Sequence, residues 1–191
     1  MSPFLRPLAA ALCGFAVVPA ASAVSFQDDP DLAAGDYLQI LNPLAALGVA
    51  AYKHDREGAW QLGYTVAATF AATQALKYAV DQTAWGERPN GGRQSFPSGH
   101  TSSACSGAAF LSERYGWQYG LPLYATALFT AYTRVDEDYH HWRDVIAGCA
   151  LAYGAAQLFT HPYEDGSALS LAPMLGDGKT IGLQLRYDFG H

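Results

Sequence analysis

The sequence predicts an all-α protein, a helical bundle that carries a small β-hairpin near its C-terminal end. Half of the 191 residues are hydrophobic, only 15% are charged, and 19 are glycine, which is the composition of closely packed helices. The apolar stretches are long and are separated by segments rich in Gly, Pro and Asn, as helices joined by loops are. Near the C-terminus the pattern changes to an alternation of apolar and polar residues, the period of a β-strand.

The first 23 residues have the pattern of a secretory signal peptide. Arg6 provides a positive charge, residues 8–18 are apolar, and Ala21-Ser22-Ala23 is typical of a cleavage site. An uncleaved membrane helix is the alternative interpretation. Residues 24–35 then form a short acidic linker. We therefore expect an exported chain that lies in the periplasm or elsewhere in the cell envelope.

Five helices are predicted within a helical domain that covers residues 36–162. Their expected ranges are 36–52, which Pro43 should kink or restart, then 59–80, 98–115, 121–134 and 142–159. The connection over residues 82–97 is a loop rich in Gly, Pro and Asn. Only residues 59–78 approach the roughly 20 apolar residues of a membrane span, and polar side chains interrupt them. We expect a periplasmic bundle, or one that is partly sunk in a membrane.

The tail, residues 163–191, differs in kind from the bundle. Residues 169–175 and 180–189 are predicted to be two strands of a hairpin, because apolar and polar side chains alternate in the second of them. Such a hairpin could dock on the cell envelope or pack on the bundle. A single hairpin cannot close a membrane barrel, so packing on the bundle is favoured.

Charge and cysteine content narrow the class of protein further. The formal net charge of −6 argues against a nucleic-acid partner, because phosphate backbones require a basic surface. An anionic substrate remains compatible with it if positive side chains gather at one site. Cys105 and Cys149 could form a disulfide in an oxidising compartment, and the alternative is that they are two small core residues.

Three clusters of basic, hydroxyl and imidazole side chains lie at predicted helix ends and in the loops between them. They are Lys77 with Arg88-Pro89, then Pro97-Ser98-Gly99-His100, then Arg134, His140 and Asp144 within TRVDEDYHHWRD.

Each cluster offers one part of a phosphoryl-transfer site. Free amides at a helix start bind anions, and Gly99 allows close approach of the backbone. His140 and Asp144 are four residues apart, so on a helix the carboxylate can orient the imidazole. Three cations can neutralise the charge of a phosphoryl group.

In these clusters the chain resembles the superfamily of phosphatidic acid phosphatase type 2 (PAP2) and vanadium haloperoxidases. Its signatures are a lysine six residues before Arg-Pro, then Pro-Ser-Gly-His, then Ser-Arg-x5-His-x3-Asp. The second is intact here, and the third has Thr133 in place of serine. In the first, ten residues rather than six separate Lys77 from Arg88. The likeness extends over residues 77–148 and suggests the exported bacterial phosphatase branch.

The resemblance implies a helical bundle of the PAP2 type and a set of residue roles. His140 attacks phosphorus to give a phosphohistidine, Asp144 orients it, and His100 protonates the leaving oxygen. A further set of residues holds the phosphoryl oxygens through side chains and backbone amides: Lys77, Arg88, Ser98, Gly99 and Arg134. No metal ion or other cofactor is implied.

The resemblance leads us to expect a metal-independent phosphatase for a phosphomonoester or diphosphate on a lipid, acting at a membrane surface. A vanadate-dependent haloperoxidase, a lipid phosphotransferase and a non-catalytic envelope protein are the alternatives. His141 is the rival nucleophile but lacks the spacing to Asp144. Asp136, Glu137 and Asp138 could join His140 as metal ligands, although the basic residues nearby favour an anion. The oligomeric state does not follow from the sequence.

Overall fold

A computed structural model describes residues 29–163, 169–176 and 180–187. The expected signal peptide, residues 1–23, and the turn of the hairpin, residues 177–179, lie outside the described residues. The chain divides into two units, Met1–His161 and Pro162–His191, and each is described by itself.

Within residues 29–163 the chain forms five α-helices, as predicted. They are α1 (Pro30–Tyr52), α2 (Arg56–Val80), α3 (Gly99–Tyr115), α4 (Trp117–Asp136) and α5 (Trp142–Phe159). α2 and α4 begin about one turn earlier than the sequence predicts. Across the described residues, no helix combines the length and the apolar character that a membrane crossing requires.

The expected linker over residues 24–35 is wrong in its second half, because α1 already begins at Pro30. The Asp29 side chain caps the helix by accepting a hydrogen bond from the Leu32 amide at 2.8 Å. Proline at the first helical position is preorganised for a helix and lacks only an amide that would have no helical partner. The acidic composition that suggested a linker is in fact a helix start.

α1 continues through Pro43, so of the two expected outcomes, a kink or a restart, the restart is wrong. A proline inside a helix leaves the carbonyl four residues before it without an amide partner. That carbonyl belongs to Gln39, and it accepts a hydrogen bond from Oγ of Ser103 on α3 at 2.7 Å. The neighbouring helix thus satisfies the group that the proline leaves unpaired.

α3 is the central helix, in contact with all four others. Small side chains make this possible, since half of the buried residues of α3 are Ala, Ser or Gly. A Cβ added at Gly107 would lie 2.6 Å from the Asn42 carbonyl oxygen, so α1 and α3 touch backbone to backbone there. Cys105 on α3 and Cys149 on α5 form a disulfide, which decides between the two alternatives for these cysteines.

A buried ion pair ties the start of α2 to the end of α3. Asp55 accepts hydrogen bonds from Nε of Arg114 at 2.7 Å, from Nη2 of Arg114 at 2.8 Å and from the Tyr115 hydroxyl at 2.7 Å. The fork of the arginine matches the carboxylate, which offsets the cost of burying both charges. This network closes the end of the bundle at which α2 begins and α3 ends.

In the second unit, two strands pair antiparallel. They are β1 (Leu169–Gly176) and β2 (Thr180–Tyr187), with Leu171 opposite Leu185.

Candidate active site

The N-terminus of α3 is built by Ser98 and held by α5. Ser98 is the N-cap, and its hydroxyl accepts from the Thr101 amide at 3.5 Å and from the Thr101 hydroxyl at 3.1 Å. The Ser98 amide donates to the Asp144 carbonyl at 2.9 Å. Because the Ser98 hydroxyl is fully buried in this capping role, the anion site at the helix start consists mainly of backbone amides.

Asp144, in the first turn of α5, joins several of the predicted residues. Its Oδ2 accepts from Oγ of Ser95 at 2.6 Å and from the His141 amide at 2.9 Å. Burial would raise the pKa of Asp144, but contacts with His140, Ser95 and the His141 amide outweigh it and hold the pKa well below its ordinary value. Asp144 is therefore a buried, ionised carboxylate.

His140 lies beside this carboxylate and is itself buried, at 3% exposure. Its Nδ1 is 3.7 Å from Oδ2 of Asp144, an electrostatic contact that is longer than a hydrogen bond. Burial lowers the pKa of His140 from 6.5 to about 4, and the charges of Lys77 and Arg88 act in the same direction. The imidazole is therefore neutral at physiological pH, the form that can attack an electrophile.

The expected way in which His140 meets Asp144 needs correction. α5 begins at Trp142 with His141 as its N-cap, so His140 precedes the helix rather than sharing a helical face with Asp144. The capping box, in which Asp144 accepts from the His141 amide, turns the chain so that both histidines face the carboxylate.

His141 is closer to Asp144 than the sequence predicts. Its Nδ1 lies 3.3 Å from Oδ2 of Asp144, a shorter distance than that from His140. The two histidines differ in their surroundings, since the side chain of His141 is 39% exposed and that of His140 is 4% exposed. Among the two, His140 is the imidazole on which the charges of Lys77 and Arg88 act.

Lys77, near the end of α2, reaches the site despite the longer loop that follows it. Burial lowers its pKa to about 8, and the charge of Arg88 adds to this effect. Its side chain lies next to the start of α3, since a Cβ added at Gly99 would be 3.8 Å from Cε of Lys77. Its Nζ donates to the Gln94 carbonyl at 2.6 Å, which fixes the ammonium group over the loop.

The loop between Lys77 and Arg88 is anchored on α5. The Trp85 ring packs edge-on against Phe96, with 5.0 Å between ring centroids, and the Arg143 guanidinium lies 4.9 Å from the Trp85 ring. Arg143 also donates to the Ala84 carbonyl at 3.1 Å. Residues within the longer loop thus contact Arg143 of α5 through the Trp85 ring and the Ala84 carbonyl.

Arg88 and Arg134 both lie close to the same aromatic ring. Each guanidinium carbon is 5.8 Å from the centroid of Tyr139, a distance at which the ring attracts both cations. Nε of Arg88 is buried without a hydrogen-bond partner among the described residues. The attraction of the Tyr139 ring therefore offsets part of the repulsion between these two positive charges, which lie close to His140.

Arg134, at the end of α4, is held by α1. Its Nη1 donates to Oδ1 of Asp36 at 2.7 Å and its Nη2 to the Leu32 carbonyl at 2.7 Å. His100, in the first turn of α3, has Nε2 3.0 Å from the same Oδ1 of Asp36, although without the alignment of a hydrogen bond. Burial lowers the pKa of His100, and Asp36 acts in the opposite direction.

The structure thus brings together all eight predicted site residues at one end of the bundle. A neutral imidazole, an ionised carboxylate, three cations and a helix N-terminus suit nucleophilic attack on a phosphoryl group. Within the described residues, no group of three or more His, Cys, Asp or Glu is arranged to hold a metal ion. The acidic side chains at positions 136–138 are exposed.

Four further side chains shape this site and were not predicted from the sequence: Asp36, Ser95, Tyr139 and Arg143. Asp36 is a carboxylate with mostly apolar neighbours along the chain, a pattern that indicates a partner without identifying it. The others lie within or beside the three clusters and carried no signal of their own.

Comparisons with known proteins identify relatives of this chain. The model of the PAP2 superfamily matches residues 58–166. The lipid A 4'-phosphatase of Helicobacter pylori strain J99 is 33% identical over 139 residues, which are 68% of this chain and 69% of that protein. The lipid A 1-phosphatase of the same strain is 30% identical over 131 residues, which are 66% and 69%.

A solved structure has the same fold. The crystal structure of Aquifex aeolicus LpxE superimposes with a TM-score of 0.54 at 20% identity, over 65% of this chain and 81% of that one.

Proposed function

This chain belongs to the PAP2 superfamily and is a phosphatase, and we propose that it hydrolyses a phosphomonoester or diphosphate carried by a lipid, through a phosphohistidine and without a metal ion. The observation that carries the mechanism is the neutral, buried imidazole of His140 between an ionised Asp144 and the charges of Lys77 and Arg88. A nucleophile in its uncharged form lies where a phosphoryl group would be held by cations.

The first half of the reaction forms the phosphoenzyme. The lone pair of Nε2 of His140 attacks phosphorus, the bond from phosphorus to the ester oxygen breaks, and His100 gives its proton to that oxygen. Asp144 stabilises the positive charge that develops on the His140 ring. Lys77, Arg88 and Arg134 neutralise the phosphoryl oxygens, and the amides at Gly99 donate to them.

The second half releases phosphate. A water molecule attacks phosphorus, and His100, now neutral, takes a proton from that water as general base. The bond from phosphorus to Nε2 of His140 breaks and the electron pair returns to the ring. Inorganic phosphate leaves, and both histidines regain their starting protonation states.

The names of two relatives support a lipid as the carrier of the phosphate. Both Helicobacter pylori proteins are named for lipid A.

An exposed apolar surface beside the site supports contact with a membrane. On α1, residues 37–52 contain no charged side chain, and on the adjacent α4 residues 117–133 contain none. The exposed side chains along these stretches include Tyr37, Ile40, Leu41, Leu44, Leu121, Leu128, Phe129 and Tyr132.

Part of this apolar surface lies at the same height along α1 and α4 as the candidate active site, because Tyr37 follows Asp36 and Tyr132 lies two residues before Arg134. We infer that it rests on the lipid surface from which the substrate's phosphate is presented.

The disulfide supports location outside the cytoplasm. Disulfides persist in the periplasm and other oxidising compartments and are rare where thiols are kept reduced. Cys105 and Cys149 form such a bridge in the core. Together with the signal-peptide pattern of residues 1–23, this supports an exported protein of the cell envelope.

Phosphate release from a panel of substrates tests the proposal. The purified protein is assayed with EDTA present on phosphatidate, an isoprenyl diphosphate and lipid A in mixed micelles, and on soluble phosphate esters. We expect lipid substrates to be hydrolysed faster, vanadate to inhibit, and His140→Ala to abolish turnover. His141→Ala is the matched control and should retain most activity, because its backbone amide still binds Asp144. Activity that requires a divalent ion, or a dead His141→Ala beside an active His140→Ala, would contradict the mechanism.

A further inference from the structure

A buried carboxylate on α1 contacts two of the candidate site residues. Asp36 is 9% exposed, and its Oδ1 lies 2.7 Å from Nη1 of Arg134 and 3.0 Å from Nε2 of His100. Burying a carboxylate is costly unless it is paired. The side chains around Asp36 on α1 are mostly apolar, so its place there is explained by these two contacts rather than by packing.

The surrounding part of α1 is shaped to hold Asp36 against Arg134. A Cβ added at Gly35 would clash with the Thr133 hydroxyl and lie 2.9 Å from Nη2 of Arg134. Nη2 itself donates to the Leu32 carbonyl at 2.7 Å. Arg134 therefore fixes the position of the Asp36 carboxylate, and with it the oxygen that faces His100.

More positive than negative side chains act on His100. Among the described residues, those that act on it are Lys77 of α2 and Arg134 of α4, which disfavour the imidazolium, and Asp36 of α1, which favours it. Burial disfavours the imidazolium as well. Asp36 is thus the carboxylate that opposes three unfavourable effects on a residue that has to donate a proton.

We propose that Asp36 is a positioning residue that sustains the protonated form of His100 when the leaving oxygen needs a proton. This inference rests on the proposed function, in which His100 is the general acid. It has a specific consequence. Esters whose leaving oxygen requires a proton depend on Asp36, whereas esters with a stable leaving anion do not.

The test compares Asp36→Asn with the wild-type protein on two soluble substrates. One is an alkyl phosphate, whose leaving group needs a proton, and the other is p-nitrophenyl phosphate, whose leaving group is a stabilised anion. The Asn side chain keeps an oxygen that can accept from Arg134 and removes only the charge. Values of kcat/KM are measured across the pH range, since they report the free enzyme.

We expect the alkaline limb for the alkyl phosphate to move to lower pH by about one to three units, the usual effect of losing an adjacent opposite charge. At pH values above this limb, each pH unit of the shift lowers kcat/KM for the alkyl phosphate about tenfold. Turnover of p-nitrophenyl phosphate should change little. In a His100→Ala background, Asp36→Asn should have no further effect on the preference for the aryl ester, because the group it acts on is absent.

Two variants serve as controls. Asp31→Asn removes a negative charge from the exposed first turn of the same helix and should leave both profiles unchanged. Asp36→Glu keeps the charge, so its alkaline limb should lie closer to the wild-type position than that of Asp36→Asn. Circular dichroism and thermal unfolding establish that each variant is folded. If Asp36→Asn does not fold, Asp36→Ser, which removes the charge and keeps a small polar side chain, takes its place.

Equal losses on the two esters in a folded variant, or an unmoved alkaline limb, would overturn the inference. Failure of both Asp36→Asn and Asp36→Ser to fold would also overturn the inference. The main role of Asp36 would then be to stabilise the fold through its ion pair with Arg134. Failure of the proposed function is distinguishable, because it appears in the wild-type protein as phosphate release that does not depend on His140.

Discussion

The contact between Gly148 of α5 and the start of α3 provides a sharp test of how the candidate site is built. Gly148 lies one helical turn after Asp144, and the backbone of Ser98 passes directly over it. A Cβ added at Gly148 would lie 2.6 Å from the Ser98 carbonyl oxygen and 3.2 Å from the Ser102 amide nitrogen. Both neighbours are backbone atoms, so they cannot rotate away as a side chain would.

The displacement caused by Gly148→Ala follows from these distances. Ordinary contacts begin at 3.4 Å, so the Ser98 carbonyl has to retreat by about 0.8 Å. This movement weakens the hydrogen bond from the Ser98 amide to the Asp144 carbonyl and shifts the amides of α3 relative to His140. A misplacement of about 1 Å in a catalytic site can cost on the order of a hundredfold in rate, and overpacking costs about 1–3 kcal/mol of stability.

Gly154→Ala is the matched control for this substitution. Gly154 is on the same helix, and a Cβ added there would have no atom within 4 Å. Alanine is favoured over glycine in a helix by about 1 kcal/mol, so this variant should be fully active and slightly more stable. We expect Gly148→Ala to lose about a hundredfold in kcat/KM for p-nitrophenyl phosphate while remaining folded. Wild-type activity and an unchanged unfolding midpoint for Gly148→Ala would refute the close approach of α5 to Ser98.

Three further predictions follow from the bundle and its charges. Replacing both disulfide cysteines by alanine should lower the free energy of unfolding by about 2–4 kcal/mol, because the bridge closes a segment with a sequence separation of 44; an unchanged urea midpoint would contradict this. The pH profile of kcat/KM should be bell-shaped with an acidic optimum. As the pH increases, kcat/KM should rise at about pH 4, where His140 loses its proton. It should then decline at a pH lower than 6.5, where His100 loses its proton. Activity that still rises at neutral pH would contradict this prediction. Lys77→Ala should lower turnover about tenfold to a thousandfold, and Arg88→Ala at least as much; near-normal turnover for Lys77→Ala would place the lysine outside the site.

The helices could be predicted from the sequence because each is a long apolar stretch with a recognisable end. The start of α1 was misplaced because a local cap overrides composition there, as Asp29 and Pro30 do in the acidic stretch before this helix. The three clusters of site residues could also be predicted, since their members lie at helix ends that a bundle can bring together. Their juxtaposition is what the structure adds.

Asp36 could not be assigned to the site from the sequence, for a physical reason. Its partner Arg134 is 98 positions away, and the hydrogen bond between them forms only because α1 packs beside α4. The position of His141 was likewise hidden. The predicted start of α5 at residue 142 is correct and leaves His140 outside the helix, so a shared helical face could not place either histidine. The capping box at that start brings His141 to Asp144.

The longer loop after Lys77 shows why a departure from a family's spacing need not displace a residue. Loop-closure entropy grows only slowly with length, so four extra residues cost little if they find contacts of their own. They do so here, because Trp85 packs on Phe96 and Arg143 lies over the Trp85 ring. The Asp81 side chain accepts from the Gln94 amide at 3.0 Å, and the Gln94 carbonyl accepts from Lys77, so the two ends of the loop are tied directly to each other. The lysine therefore owes its position to this tie across the base of the loop, and not to the number of residues that the loop contains.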